Sequence, residues 1–215
     1  MKVQFTISVP RWIEIVCVCA VLNYRRFRYG EAFRIIPLTK GLRAIVSPED
    51  YDRLSNFNWY MSKARHTIYA QCAVKSNTVS RRQRHISMHR EVLGVFDDRF
   101  VDHQNHNGLD NRRSNLRIAT AAENGWNRKK TSAKCTSQFK GVCWWKKGSK
   151  WRTQGTHNGK QVIIGEFENE IDAAKAYDDW AKKTFGQFAA LNFPSENKNA
   201  LGNWSFKICY ERFTG

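Results

Sequence analysis

Apolar positions in residues 34–75 arrive in short alternating runs separated by polar breaks. The pattern predicts short strands around one helix. LRAIV reads as a strand and is followed by SPED. Ser47 suits a helix N-cap, Pro48 the first helical position, and Glu49 with Asp50 the positive first turn. This helix is short and ends near Asn56. NWYMSK and HTIYAQCAV then alternate as strands do, and residues 76–84 form a polar, basic loop. HISMHREVLG predicts a strand running into a short helix. A second helix start is legible at Thr120-Ala-Ala-Glu123, a capping box in which each end residue satisfies a free backbone N–H of the other.

The pattern restarts after a polar linker at 129–138. FKGVCWW, KWRTQGT and KQVIIGEF are three strand-like runs, and His157-Asn158-Gly159 joins the last two through a hairpin signal. NEIDAAKAYDDWAKKTFG follows as a helix, with Ile171, Ala174, Tyr177 and Ala181 at helical spacing. Acids crowd its start, Lys182 and Lys183 stand near its end, and Gly186 closes it. Phe139, Val142, Ile163, Phe167, Tyr177 and Trp180 are the expected sheet-on-helix core. The unit ends in ALNFP. The tail at 195–215 takes no assignment, and no internal repeat is visible.

Charge changes this picture. The 215 residues carry 36 Lys+Arg against 19 Asp+Glu, a net charge of +17. Such an excess points to a polyanion, nucleic acid before anionic membrane. It is also local, because residues 128–152 hold nine Lys or Arg and no acid. Phe139, Trp144, Trp145 and Trp151 lie in the same run, whereas disordered basic tails are poor in aromatics. The six cysteines form no CxxC pair, which argues against thiolate zinc and a disulfide framework. The apolar run WIEIVCVCAVL (12–22) is too short to span a bilayer. No small-x-small cleavage site follows it, so residues 1–33 read as an extension and not as a secretion signal.

Residues 101–120, VDHQNHNGLDNRRSNLRIAT, hold two His, four Asn and two Asp. Hydrolysis of a phosphodiester needs a base for the water and a cation for the departing oxygen. A hard divalent ion takes carboxylate and amide oxygens. Asp102 and Asn124 supply such donors, and His103 supplies a base. Neighbours on a strand point to opposite faces, so Asp102 and His103 serve one site only where the backbone bends.

VDH, NGLDNRRSNLR and AENGWNR together resemble the HNH family of homing endonucleases, whose fold is a ββα-metal motif. The family signature is a His, an Asn about a dozen residues on, and a His or Asn about ten further, here His103, Asn115 and Asn124. The resemblance implies that His103 is the general base and that Asp102 and Asn124 bind a divalent ion, foremost Mg²⁺. It implies that Asn115 holds the loop and orients His103. Met88-His89-Arg90 resembles the "HR" that precedes the motif, making Arg90 a phosphate contact. The final Asn in place of His suits Mg²⁺ better than zinc. His106 reads as a loop or phosphate contact.

The stretch from FKGV through KW, IGEF and DAAKAYD to LNFP, about 137–194, resembles the APETALA/ethylene-response-factor domain of plant transcription factors, which also occurs fused to HNH nucleases in phages and bacteria. The resemblance implies a sheet lying in the DNA major groove, with Lys140, Trp145, Lys150, Trp151, Arg152 and Gln154 as contacts. For Trp151 the residues alone leave core and DNA contact equally open. Arg128, Lys146, Lys147 and Lys160 are expected at phosphates. Several arginines of the plant pattern are absent, so no target sequence carries over.

These readings define an α+β protein in which a ββα-metal nuclease unit precedes a three-stranded antiparallel sheet packed on one helix. The expected divisions are an extension (1–33), nuclease domain (34–128), basic linker (129–138), DNA-binding domain (139–194) and tail (195–215). The expected activity is metal-dependent cleavage of double-stranded DNA, in the cytoplasm of a bacterial or phage-infected cell. No membrane or obligate protein partner is evident. A non-catalytic transcriptional regulator is the alternative.

Overall fold

The computed structural model describes residues 10–64, 67–74, 84–130 and 136–194. Most of the loop expected at 76–84, the centre of the linker, the tail from 195, Cys135 and Cys209 lie outside the described residues. The architecture is α+β, with small sheets and five α-helices among the described residues. The chain groups into two compact units, and the boundary crosses the motif-bearing segment. Residues 10–96 and 105–117 belong to the first, and residues 97–104 and 118–194 to the second.

The first unit opens with α1 (Arg11–Tyr29), where the sequence predicted only an extension. No Gly or Pro interrupts those residues. Glu14 in the first turn and Arg26 and Arg28 in the last complement the helix dipole, and Gly30 ends the helix at φ 78°. None of its residues is buried, and no helix among the described residues is long and apolar enough to cross a membrane.

Strands β1 (Arg34–Pro37) and β2 (Arg43–Val46) pair antiparallel. Helix α2 (Pro48–Ser55) follows. Next come β3 (Tyr60–Lys63), β4 (Ile68–Val74) and β5 (Arg84–Ser87), a second antiparallel sheet, and then α3 (Met88–Leu93). Phe33, Ile45, Leu54 and Met88 are among the fully buried side chains here. The two-residue strand β7 (Asp110–Asn111) adds to β2 in parallel, with Ile45 opposite Asp110.

The second unit contains β6 (Phe100–His103) and the short helix α4 (Ala121–Trp126) packed on β6; β8 (Leu116–Ala119), the strand paired with β6, begins at the last two residues of the first unit and ends in the second. The predicted capping box is present: Thr120 Oγ1 accepts from the Glu123 N–H at 3.3 Å, and the Thr120 N–H donates to Glu123 Oε2 at 2.7 Å. Strands β9 (Val142–Trp145), β10 (Lys150–His157) and β11 (Lys160–Phe167) form the expected three-stranded antiparallel sheet, with β10 central. Asn158 and Gly159 both have positive φ, as a two-residue hairpin turn requires.

Helix α5 (Glu170–Phe185) covers one face of this sheet. Its buried stripe is Ala173, Ala174, Tyr177, Ala181 and Phe185, while Ile171 is exposed. A bulge on β11 also overturns one core expectation. Thr153 faces Gly165 but Gln154 faces Ile163, so Ile164 is the extra residue. Ile164 packs on the Tyr177 cluster, and Ile163 turns outward at 59% exposure.

Candidate functional site

Asp102 and His103 are the last two residues of β6, and both are buried. The Asp102 carboxylate is held by Asn127, whose Nδ2 lies 2.9 Å from each of its oxygens and 3.3 Å from the His103 carbonyl. Sequence reasoning singled out Asn124 and missed Asn127. The available signal was position: the N–H of Asn127 bonds to Glu123 O at 3.2 Å, so it continues the turn three residues beyond Asn124. Residues three apart share a helix face, so Asn124 stands on the side of α4 that meets β6. Asn124 is half-buried, and its side-chain amide makes no hydrogen bond among the described residues.

In the first unit, residues 105–117 form an amide-locked loop. Asn115 is its centre: Oδ1 accepts from the Asn105 N–H at 3.0 Å, and Nδ2 donates to Asp110 O at 2.8 Å. Asn105 follows His103 by only two residues, so the lock fixes the chain just beyond the histidine. Asn105 Oδ1 accepts from the Asn107 N–H, and Asn107 Oδ1 from the Leu109 N–H, both Asx-type turns. His106 takes φ 63° within this turn.

Charge stabilises the same loop from within. Asp110 is fully buried and accepts from Arg112 Nε at 2.8 Å, Arg112 Nη2 at 2.6 Å and Asn105 Nδ2 at 2.7 Å. Arg113 donates from Nε (2.7 Å) and Nη2 (2.8 Å) to buried Asp50. The Ser47 hydroxyl, expected to cap α2, accepts instead from the Arg113 N–H at 3.0 Å. Arg112 and Arg113, two of the three arginines of DNRRSNLR, are therefore structural ties, which a charge count alone does not distinguish from phosphate contacts.

The candidate metal donors are oxygens of one carboxylate and one amide. No group of three or more His, Cys, Asp or Glu suited to a metal occurs among the described residues. Such an incomplete oxygen set fits a Mg²⁺-like ion, which keeps waters and takes further ligands from substrate phosphate, and not a closed zinc cage.

The residues expected to touch DNA separate into three groups. Cross-strand partners share a face of a sheet. Trp145 is paired with Lys150, Arg152 with Glu166 and Gln154 with Ile163, all on the face away from α5. The Arg152 guanidinium lies 4.0 Å over the Trp145 ring and bonds to Glu166 at 2.8 Å, and Lys150 pairs with Glu168 at 3.1 Å. Trp151 is on the opposite face, packed against Val142, Ala173 and Ala174 and edge-on to Trp144; alternation on β10 makes it a core residue. Lys140 is turned inward as well. Its Nζ donates to Trp126 O at 2.6 Å, and burial holds its pKa down to about 8 against an upward pull from Asp178. Arg128 is exposed, and Arg90 is half-buried on α3.

A relative from Acanthamoeba polyphaga mimivirus, described as an uncharacterized HNH endonuclease, is 30% identical over 164 residues, covering 74% of this chain and 80% of the relative. With a match of that extent, the chain belongs to the HNH endonuclease family. Protein 3.8 of Escherichia phage T7 is 38% identical over 80 residues, 37% of this chain and 65% of that protein. An AP2-like ethylene-responsive transcription factor of Arabidopsis thaliana is 35% identical over 83 residues, 39% of this chain but only 24% of the plant protein. No family model matches the chain.

Proposed function

We propose that this protein is a metal-dependent DNA endonuclease of the homing type, positioned on its target by the sheet of residues 142–167. The observation that carries the reading is the Asp102–His103 pair at the end of β6, with the carboxylate aimed by Asn127. The HNH relative supports the activity, and the AP2-like likeness supports double-stranded DNA as the partner.

In this reading Asp102 and Asn124 hold a divalent ion, most simply Mg²⁺. When bound, that ion supplies charge stabilisation for the phosphate and its departing oxygen. The imidazole of His103 takes a proton from the attacking water. Asn115 locks the loop that follows the histidine in sequence. Trp145, Lys150, Arg152 and Gln154 present the outer face of the sheet to the major groove, and Arg128 and Arg90 meet phosphates. The viral and phage sources of two relatives support a place of action inside an infected cell.

The test is cleavage of supercoiled plasmid and of phage or host genomic DNA with Mg²⁺, for wild type and His103→Ala, with EDTA as control. Nicked or linear product that is lost in the variant and in EDTA supports the reading. Binding of these DNAs without cutting by the wild type overturns it in favour of a regulator.

A further inference from the structure

In the simplest plan for a nuclease joined to a DNA reader, the reader only tethers. The end of α4 argues for more. The Trp126 ring stacks on Phe185, the last residue of α5, at 4.7 Å and 24°. Lys140, just before β9, donates to Trp126 O at 2.6 Å. Lys140 is itself fixed, because its N–H donates to Asn192 Oδ1 at 2.6 Å and its carbonyl accepts from Asn192 Nδ2 at 3.1 Å. The N–H groups of Asn192 and Phe193 in turn donate to the buried Asp178 of α5, at 2.8 and 2.7 Å. The next residue after Trp126 is Asn127, which grips Asp102. A continuous set of hydrogen bonds, part-buried along the module and buried at Asp102, and one aromatic stack thus runs from α5 to the Asp102 carboxylate inside a single compact unit.

We infer that Asn127 is a positioning residue for the Asp102 carboxylate, and that the C-terminal sheet–helix module sets it through Lys140 and Trp126. The inference rests on the nuclease reading for its catalytic consequence. Its physical basis is that a six-residue helix is too short to hold its own geometry. The module supplies the contacts that keep its last turn in place. Partners that orient a metal ligand commonly matter by about 10–100-fold in metal affinity or activity.

Three variants of the full chain test this: Asn127→Ala, Asn127→Asp and Lys140→Met, with Lys175→Ala on the exposed side of α5 as control. Plasmid nicking rates are measured against DNA and Mg²⁺ concentration, and amide hydrogen exchange is followed over residues 121–127. Asn127→Ala is expected to lower kcat by about 10–100-fold, with KM for DNA nearly unchanged and the Mg²⁺ half-saturation raised. Asn127→Asp keeps the shape but removes the donor and adds a like charge, so it falls below Asn127→Ala; a merely space-filling role gives the reverse order. Lys140→Met is expected to lower kcat in the same direction and to speed exchange in α4, while Lys175→Ala changes neither. Wild-type exchange in α4 together with unchanged kcat in Lys140→Met overturns the coupling. If the wild type cuts no DNA, the nuclease reading has failed, and the exchange measurement alone still decides whether the module holds α4.

Discussion

Replacing Asp110 by Asn removes one charge from the most enclosed ion pair of the first unit. Arg112 is 4% exposed at its side chain and Asp110 is 0% exposed, so solvent takes up little of the loss. The variant leaves the guanidinium with Glu31 at 3.2 Å, a partner that is itself 35% exposed. The new amide also turns a donor toward Arg112 Nη2 or Asn105 Nδ2, both of which now donate to the carboxylate. Removing one member of a buried pair costs about 3–5 kcal/mol. The remaining Glu31 contact sets the expectation at the lower end, about 3 kcal/mol, a large share of the roughly 5–15 kcal/mol that holds a domain folded. Urea unfolding followed by circular dichroism reads the loss as a lower midpoint at constant slope. The double variant Asp110→Asn/Arg112→Met has no stranded charge, so it should cost less than the sum of its parts. A single-variant cost below about 1 kcal/mol, or strict additivity in the double, refutes the claim that this pair organises the loop.

Three further outcomes follow from local geometry. Thr120→Ala breaks the capping box and should cost about 1 kcal/mol, measured by the same urea titration. Gly141→Ala adds a methyl at φ 76° directly onto the Tyr177 ring; left-handed strain and overpacking together should cost about 2–4 kcal/mol, seen as a lower Tm in thermal unfolding. Lys140 titrates near 8 in the folded chain, below its ordinary value of 10.5. Below pH 8 both folded and unfolded chains hold that proton and the burial penalty is fully present. Between pH 8 and about 10 the unfolded chain holds more protons, so this group's contribution to stability rises with pH. Tyr177, pushed up to about 12 by burial and the Asp178 charge, acts in the opposite sense only above pH 10. Comparing urea midpoints at about pH 7.5 and about pH 9.5, Lys140→Met should lack the part of the rise that wild type owes to Lys140.

Local chemistry was readable wherever a short stretch decides its own conformation. The Thr120–Glu123 box, the Asn158-Gly159 hairpin and the stop at Gly186 depend on a few adjacent residues, and each stands as the sequence implied. The pairing of the three C-terminal strands and the cover by α5 were legible for the same reason, since apolar spacing prescribes both. Asp102, His103 and Asn115 were singled out with the help of a family resemblance, and the fold places the first two at the end of β6 and Asn115 at the centre of the 105–117 loop.

What only tertiary structure decided was the choice among partners far apart in the chain. Ser47 is an ordinary helix cap by sequence, yet Arg113 claims its hydroxyl. Arg112 and Lys140 count as cations in any sum of charge, yet each is turned inward, against Asp110 and against Trp126 O. Trp151 faces the core, and Ile163 faces out because one bulged residue shifts the alternation of β11. Asn127 matters because α4 packs on β6 and thereby brings its amide to Asp102. Residue type and spacing fix what a side chain can donate or accept. Which of several competent partners it meets depends on packing of distant elements, and that information appears only in the folded chain.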